Sequence, residues 1–517
     1  MLKKIRVALA AVFWTGITLL LLDVTGVLHS FLGWMAKVQF LPAVMAMNVA
    51  VIVGLVLLTL VFGRVYCSMI CPLGVFQDGI SHVGTRRSKH PYRYRKENKE
   101  LRYSVWVVFV LALVLGIQVF VALLAPYSAY GRMVQSLLQP LWLRCGNLIE
   151  ALAEKAGTYA VYPHEVWMRS LPTFVVAALT LVVIVVLSFK GGRIYCETIC
   201  PVGTTLSFLS RFAMFRPVID ADKCTHCKAC SRHCKAHCIE IEKNVARIDY
   251  ARCVDCFNCL DECQYDALKY KFAWGKDASA KPQHDKAQHD KAQHDKPQHD
   301  KAQEDKPAGD NGRRAMLTGT VLAVGAAALK SVEGKAQSLQ KVDGGLAELL
   351  PKRAPERDLP VTPPGSLSIK DFYRRCTVCE LCVAECPSNV LRPSTSLEHL
   401  MQPELSFERG YCRIECTRCS ELCPTGAIRK INKEEKTEYH VGTARVNRNL
   451  CVSEQGVACG KCAEVCPTGA VILQENLEGM RIPVVSEAVC IGCGACEFYC
   501  PSRPYSAISV NGKNQHV

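Results

Sequence analysis

The 517-residue sequence contains no C-x-x-C-H run, so covalent attachment of a c-type haem is not expected. It has no G-x-G-x-x-G fingerprint and no hydrolytic constellation, so neither dinucleotide binding nor hydrolysis is indicated and no catalytic residue is assigned. The net charge of +15 is not gathered into a basic stripe interleaved with aromatic residues; lysine and arginine fall at the N-terminus, beside apolar segments and in linkers. That distribution suits membrane topology and argues against nucleic acid as a partner. His29, His82, His90 and His164 fall at the ends of apolar segments or in loops, which disfavours a haem held by two histidines within a bilayer.

What is abundant is cysteine, 30 residues in all. Nearly all fall in tight groups, a spacing of metal ligands rather than of disulfides. Cys224, Cys227, Cys230 and Cys234 follow C-x2-C-x2-C-x3-C, and Cys253, Cys256, Cys259 and Cys263 repeat it. Three thiolates at this spacing let one loop wrap three corners of a cubane, and in two-cluster ferredoxins the fourth ligand comes from the other quartet. Cys234 is therefore expected to complete the site of Cys253, Cys256 and Cys259, with Cys263 completing that of Cys224, Cys227 and Cys230. Four more quartets each end in Cys-Pro: Cys376, Cys379, Cys382, Cys386; Cys412, Cys416, Cys419, Cys423; Cys451, Cys459, Cys462, Cys466; and Cys490, Cys493, Cys496, Cys500. The longer first gaps after Cys412 and Cys451 only enlarge the loop. Six [4Fe–4S] clusters are thus expected, with iron as the metal. Spacing leaves open whether neighbouring quartets exchange their fourth cysteine or outer ones pair with inner ones. Structural zinc fits the compact triple poorly. Cys238 stands outside the pattern, as a free thiol or an alternative ligand.

Four apolar stretches, Val7 to Leu28, Leu41 to Phe62, Tyr103 to Ala125 and Leu171 to Phe189, approach the ~20 residues that span a bilayer as a helix. The first follows Lys3, Lys4 and Arg6 but is long and lacks a clean cleavage site, so a retained span is expected. Arg86, Arg87, Lys89, Arg93, Arg95, Lys96, Lys99 and Arg102 crowd the second connection and place it in the cytoplasm. Asp23, near the outer end of the first span, reads equally as a proton carrier or an interfacial carboxylate. Two segments match across this unit, GRVYCSMICPLG from Gly63 and GRIYCETICPVG from Gly192. Their cysteines, Cys67, Cys71, Cys196 and Cys200, are expected at the cytoplasmic membrane edge, available for a metal, a cluster or thiol–disulfide exchange. Shaping of the helix exit is the bland alternative.

From Lys281 a pentapeptide repeats, KPQHD, KAQHD, KAQHD, KPQHD, KAQED, and reads as a disordered charged tether. His284, His289, His294 and His299 within it could bind a metal loosely, and a solvated tether is the favoured reading. Arg313-Arg314 and the small, weakly apolar stretch Ala315 to Leu329 follow. They read as an internal twin-arginine-type export signal, against a packing helix of ~22 Å that falls short of a bilayer core. Gly334-Lys335-Ala336 is a weak cleavage site.

On the apolar stretches, both C-x3-C-P motifs and the first two quartets, the chain up to about Trp274 resembles NapH, the membrane ferredoxin-type family of periplasmic nitrate reductase systems. From about Arg313 it resembles the MauM/NapG family of exported four-cluster ferredoxins. The resemblance implies a quinol-linked relay that takes electrons from the membrane quinol pool to a periplasmic reductase or its electron-transfer subunit. NosR-like and CcoG-like proteins share the motif pair, so the acceptor is not fixed by it. The alternative function is maturation or metal reduction for a partner oxidoreductase, and a redox sensor is a third reading without a visible output domain. The expected fold class is multi-domain, an α-helical membrane unit of four spans followed by α+β ferredoxin-like 4Fe-4S modules. Its parts are residues 1–215 (membrane unit), 216–274 (cytoplasmic two-cluster module), 275–312 (linker), 313–340 (twin-arginine segment) and 341–517 (four-cluster domain). The expected location is the bacterial inner membrane, multi-pass, with the C-terminal domain periplasmic.

Overall fold

The computed structural model describes residues 1–23, 26–85, 92, 94–155, 165–242, 245–273, 350–476 and 479–516. The chain divides into one compact unit, 1–280 with 351–517, and a second stretch, 281–350. The repeat, its histidines and the Arg313-Arg314 segment lie outside the described residues, as do Arg86, Arg87, Lys89, His90, Arg93 and His164.

In chain order the first helices are α1 (Leu2–Leu22), α2 (Leu28–Lys37), α3 (Phe40–Met45), α4 (Val49–Phe62), α5 (Val65–Met69), α6 (Pro72–Thr85), α7 (Lys99–Leu115), α8 (Gln118–Leu124) and α9 (Pro126–Met133). A π-helical turn, Val134–Leu138, leads into α10 (Gln139–Lys155), and α11 (Leu171–Gly191), α12 (Ile194–Thr198) and α13 (Pro201–Ser210) follow. Among the described residues two helices are long and apolar enough to cross a membrane, Leu2–Leu22 and Leu171–Phe189; Val49–Phe62 is apolar but shorter.

This corrects the expectation of four continuous spans. The stretch Leu41 to Phe62 is broken between α3 and α4, where Met47 is left-handed (φ 52°) and the Asn48 side chain accepts from Val51 N, capping a new helix. The stretch Tyr103 to Ala125 is broken at Gly116, a left-handed residue that ends α7 (φ 78°). The first helix ends at Asp23, whose carboxylate accepts from Gly26 N (3.0 Å) and Leu28 N (2.8 Å). Asp23 therefore shapes the turn into α2.

Both cysteine-rich parts pack on this helical unit, at opposite ends. At the start of α1, Lys3 pairs with Asp261 (3.1 Å); at its end, His29 on α2 lies 3.4 Å from Glu421. α11 ends with Gly191 O 2.6 Å from His237 Nε2, and just before its start Trp167 lies beneath Arg392 and Arg409. Likewise Phe62 of α4 stacks on Phe215, whereas Gln118 of α8 donates to Arg374 O. A 21-residue helix is ~30 Å long, so the two parts stand about that far apart along α1.

The first part pairs β1 (Phe215–Ile219) with β4 (Leu268–Phe272), antiparallel, around the hairpin β2 (Ile239–Glu242) and β3 (Val245–Ile248), with short helices α14 (Ala229–Arg232) and α15 (Asn258–Asp261). The same plan recurs near the C-terminus: β7 (Gly442–Val446) pairs with β10 (Ile508–Gly512) around the hairpin β8 (Val471–Glu475) and β9 (Arg481–Val485). Between them β5 (Leu391–Pro393) and β6 (Pro403–Leu405) form a lone short pair. Cysteines make up much of each core. Cys234, Cys238, Cys256 and Cys259 pack with Ile239, Val254 and Leu268, and Cys451, Cys490, Cys496 and Cys500 pack with Val361, Phe407 and Val510.

Candidate electron-transfer sites

Four of the six quartets share one loop geometry. The third and fifth residues of each run are left-handed: His226 (56°) and Lys228 (62°), Asp255 (47°) and Phe257 (60°), Val378 (57°) and Glu380 (59°), Gly492 (74°) and Gly494 (76°). Such backbone costs an L-residue roughly 1–2 kcal/mol, and successive turns of this kind aim N–H groups into a concavity that suits an anion. The quartets with longer first gaps depart from it, with Thr417 at −116° and Gly460 at −147° before their helices.

The fourth cysteine of each quartet faces another quartet's triple. Cys234 lines one cavity with Cys253, Cys256 and Cys259, and Cys500 lines another with Cys451, Cys459 and Cys462. Elsewhere the thiols lie close enough for their charges to interact. Cys263 acts on Cys230, Cys423 on Cys376, Cys379 and Cys382, Cys386 on Cys412 and Cys419, and Cys466 on Cys493 and Cys496. Cys238 lines the first cavity too, its Sγ 3.4 Å from Cys234 Sγ. Cys145, on α10, is exposed and belongs to no quartet.

The residues fit an iron–sulfur cluster. Burial pushes the Cys230 thiol up to about 12 and those of Cys256 and Cys462 up to about 11, so a bound cation is needed to hold them as thiolates near neutral pH. Among the described residues no three His, Cys, Asp or Glu gather tightly enough for a single ion. Thiols spread around an apolar void suit a multi-iron cluster, which when bound supplies one-electron redox chemistry.

The paired C-x3-C-P motifs lie in the core of the helical unit. Cys67, Cys71, Cys196 and Cys200 are each 4–5% exposed, and Cys67, Cys71 and Cys200 share an apolar cluster with Ile17, Leu20, Tyr127 and Tyr130. After α4 and α11 the chain turns back through α5 and α12, and Pro72 and Pro201 then open α6 and α13. Proline suits a helix's first position, and Cys200 at the cap accepts from Gly203 N (3.4 Å). Added β-carbons at Gly74 and Gly203 would meet the carbonyls of Cys67 and Cys196 at 2.3 and 2.5 Å, so the motif's last residue has to be glycine.

The arginines of the two motifs cross. Arg64 Nη2 donates to Cys196 O (3.4 Å) and lies 4.0 Å from Cys67 Sγ, while Arg193 Nη1 donates to Cys67 O (2.8 Å). Each also binds the 216–273 part through its backbone: Arg64 N donates to Asp255 (2.9 Å) and Arg193 N to Lys235 O (3.1 Å). Asp78 on α6 accepts two bonds from Arg193 and one from Arg6, with Lys235 at 3.5 Å. Glu197 pairs with Arg252 at 2.8 Å. Asp78, Glu197 and both arginines escaped the sequence reading, although the repeated Gly-Arg before each motif was a visible signal.

These sites define a class, the ferredoxin-type iron–sulfur electron-transfer proteins. A family described as a 4Fe-4S dicluster domain matches residues 375–427 and 457–504, and one described as a 4Fe-4S binding domain matches 44–91 and 173–218. The methylamine utilization ferredoxin-type protein MauM of Paracoccus denitrificans is 31% identical over 164 residues, 30% of this chain and 73% of that protein. The ferredoxin-type protein NapF of Escherichia coli K12 is 27% identical over 32% of this chain and 96% of its own length. An uncharacterised protein of Methanocaldococcus jannaschii is 25% identical over 48% of this chain and 80% of its own. The chain belongs to the MauM-type ferredoxin family. No solved structure matches it.

Two outcomes follow. Asp78→Asn leaves Arg6, Arg193 and Lys235 around a neutral group and is expected to destabilise the protein by about 3–5 kcal/mol, read as a lowered thermal midpoint; an unchanged midpoint contradicts this. Stripping iron with a chelator is expected to unfold residues 216–273 while the helices persist, because thiols form much of that core. Limited proteolysis confined to that part, with helical circular dichroism retained, is the expected readout.

Proposed function

We propose that this chain carries electrons across a membrane, from the quinol pool to a periplasmic reductase or its electron-transfer subunit, through six [4Fe–4S] sites. The observation that carries this reading is the placement of two cysteine-rich parts at opposite ends of the same helices, with four more thiols buried between them. Apolar side chains exposed along the helices support four crossings, with α3–α4 and α7–α8 as broken ones. They include Val49, Val53 and Leu57 on α4, Val108, Leu111 and Val114 on α7, and Val175, Leu179 and Val186 on α11. In this reading 216–274 is cytoplasmic, 341–517 periplasmic, and the repeat with the twin-arginine segment joins them.

Cys67, Cys71, Cys196 and Cys200 are the waypoint inside the helical unit. Arg64 and Arg193 supply positive charge beside them, which favours negative charge there. Cys256 and Asp255 lie on one side, and Tyr195 reaches the other, its hydroxyl 3.4 Å from Leu124 O. The maturation alternative calls for thiols that a partner reaches, and burial of all four disfavours it.

The test is quinol-driven reduction of the purified chain reconstituted in lipid, with duroquinol as donor. The wild type is expected to be reduced, seen as bleaching of iron–sulfur absorbance. The quadruple Cys→Ser variant at 67, 71, 196 and 200 should keep its remaining iron but transfer electrons to the C-terminal sites at least tenfold more slowly. Equal rates in both proteins would overturn the waypoint role.

A further inference from the structure

The relay reading leaves open how electrons traverse the C-terminal part, where four triples and four exchanged cysteines form four sites. Two of them meet the helical unit, the site of Cys419 through the neighbouring Arg418 and Leu422 at Gly26 and Gly33, and the site of Cys379 through a ligand's own backbone. The backbone of Cys379 lies on α9, where a β-carbon at Gly131 would meet Cys379 O at 2.3 Å. Val378 is fully buried against Ala122 of α8 and Met401, in spite of its left-handed backbone. Leu381 joins the main apolar cluster of the helices, which includes Tyr127 on α9 and which Cys379 also touches.

A second close approach joins the two halves of the C-terminal part: Cys412 N donates to Cys493 O at 2.9 Å. The site of Cys412, Cys416, Cys419 and Cys386 therefore abuts that of Cys490, Cys493, Cys496 and Cys466. The cavity of the fourth site, that of Cys451, Cys459, Cys462 and Cys500, is lined, among the described residues, by residues 446–508 and by none of the helical unit. The loop between its first two ligands, Gln455, Gly456, Val457 and Ala458, is exposed to solvent.

We propose that electrons enter the C-terminal part at the site of Cys376, Cys379, Cys382 and Cys423, pass to that of Cys412, Cys416, Cys419 and Cys386, cross to that of Cys490, Cys493, Cys496 and Cys466, and leave from that of Cys451, Cys459, Cys462 and Cys500. The order in space thus differs from the order in sequence, since the triple at 451–462 comes last. Quinol would become quinone by giving up two electrons to the relay and releasing two protons to water at the membrane surface. Each electron moves singly, oxidising the site it leaves and reducing the one it reaches, and passes finally to a one-electron redox-protein acceptor at the exposed loop.

The proposal rests on the relay reading, and electron paramagnetic resonance of the full chain in lipid tests the two separately. In Cys459→Ala, duroquinol is expected to reduce the other three C-terminal sites at the wild-type rate. In Cys379→Ala it should reduce none of them, while dithionite still reduces the three that remain. Gly131→Val keeps every ligand but pushes Cys379 from α9, so it should retain full iron and slow reduction of all four sites at least tenfold. Under dithionite, Cys493→Ala should remove one spin–spin coupling from each of the two sites beside it, and Cys459→Ala from one site only. Loss of reduction at the other sites in Cys459→Ala, or splitting lost from one neighbour in Cys493→Ala, overturns the order. A wild type that duroquinol fails to reduce overturns the donor, and the dithionite splittings then decide the order alone.

Discussion

The crossing of Arg64 and Arg193 is the constraint on which the rest of the helical unit depends. Each arginine binds the first-cysteine carbonyl of the opposite motif, and each anchors the 216–273 part through its own backbone N–H. One pair of side chains thus fixes the two halves of the unit to each other and both to the neighbouring iron–sulfur part. Neither guanidinium is exposed, so each depends on partners: Arg193 on Asp78, and Arg64 on carbonyls and a nearby thiol. A charge buried here without them would be costly.

From that anchor the path between the two cysteine-rich parts follows. Because α5 and α12 turn back after the arginines, the four motif thiols are carried into the helical core. Prolines start the next helices where the second cysteines can cap them. At the other end of the helical unit α8 and α9 hold the loop of Cys379 through Gln118, Ala122 and Gly131. Rigid helices, rather than loops, therefore set the separation of the redox sites, which is what a relay requires of its protein.

Much of this was legible in the sequence, and the reasons differ from part to part. The C-x2-C-x2-C runs are local, since one loop conformation serves three ligands, so spacing alone reported them. The exchange of fourth cysteines in the C-terminal part was not legible, because it depends on which loops fold together over tens of residues. Hydropathy marked four apolar stretches but missed the breaks at Met47–Asn48 and Gly116. A single left-handed residue and an asparagine cap barely alter an average over twenty residues. The paired motif was visible as a repeat. The work of its arginines was hidden, because each acts on the other copy and on the 216–273 part.

The central claim, that the two cysteine-rich parts face opposite sides of one membrane, is tested most directly by the sidedness of epitope tags placed near Gly309 and after Val517 in intact and permeabilised cells. The account predicts a C-terminal tag reached from outside in intact cells, with the tag near Gly309 reached only after permeabilisation. Both tags reached only after permeabilisation would contradict it, since every site would then lie on one side and nothing would cross.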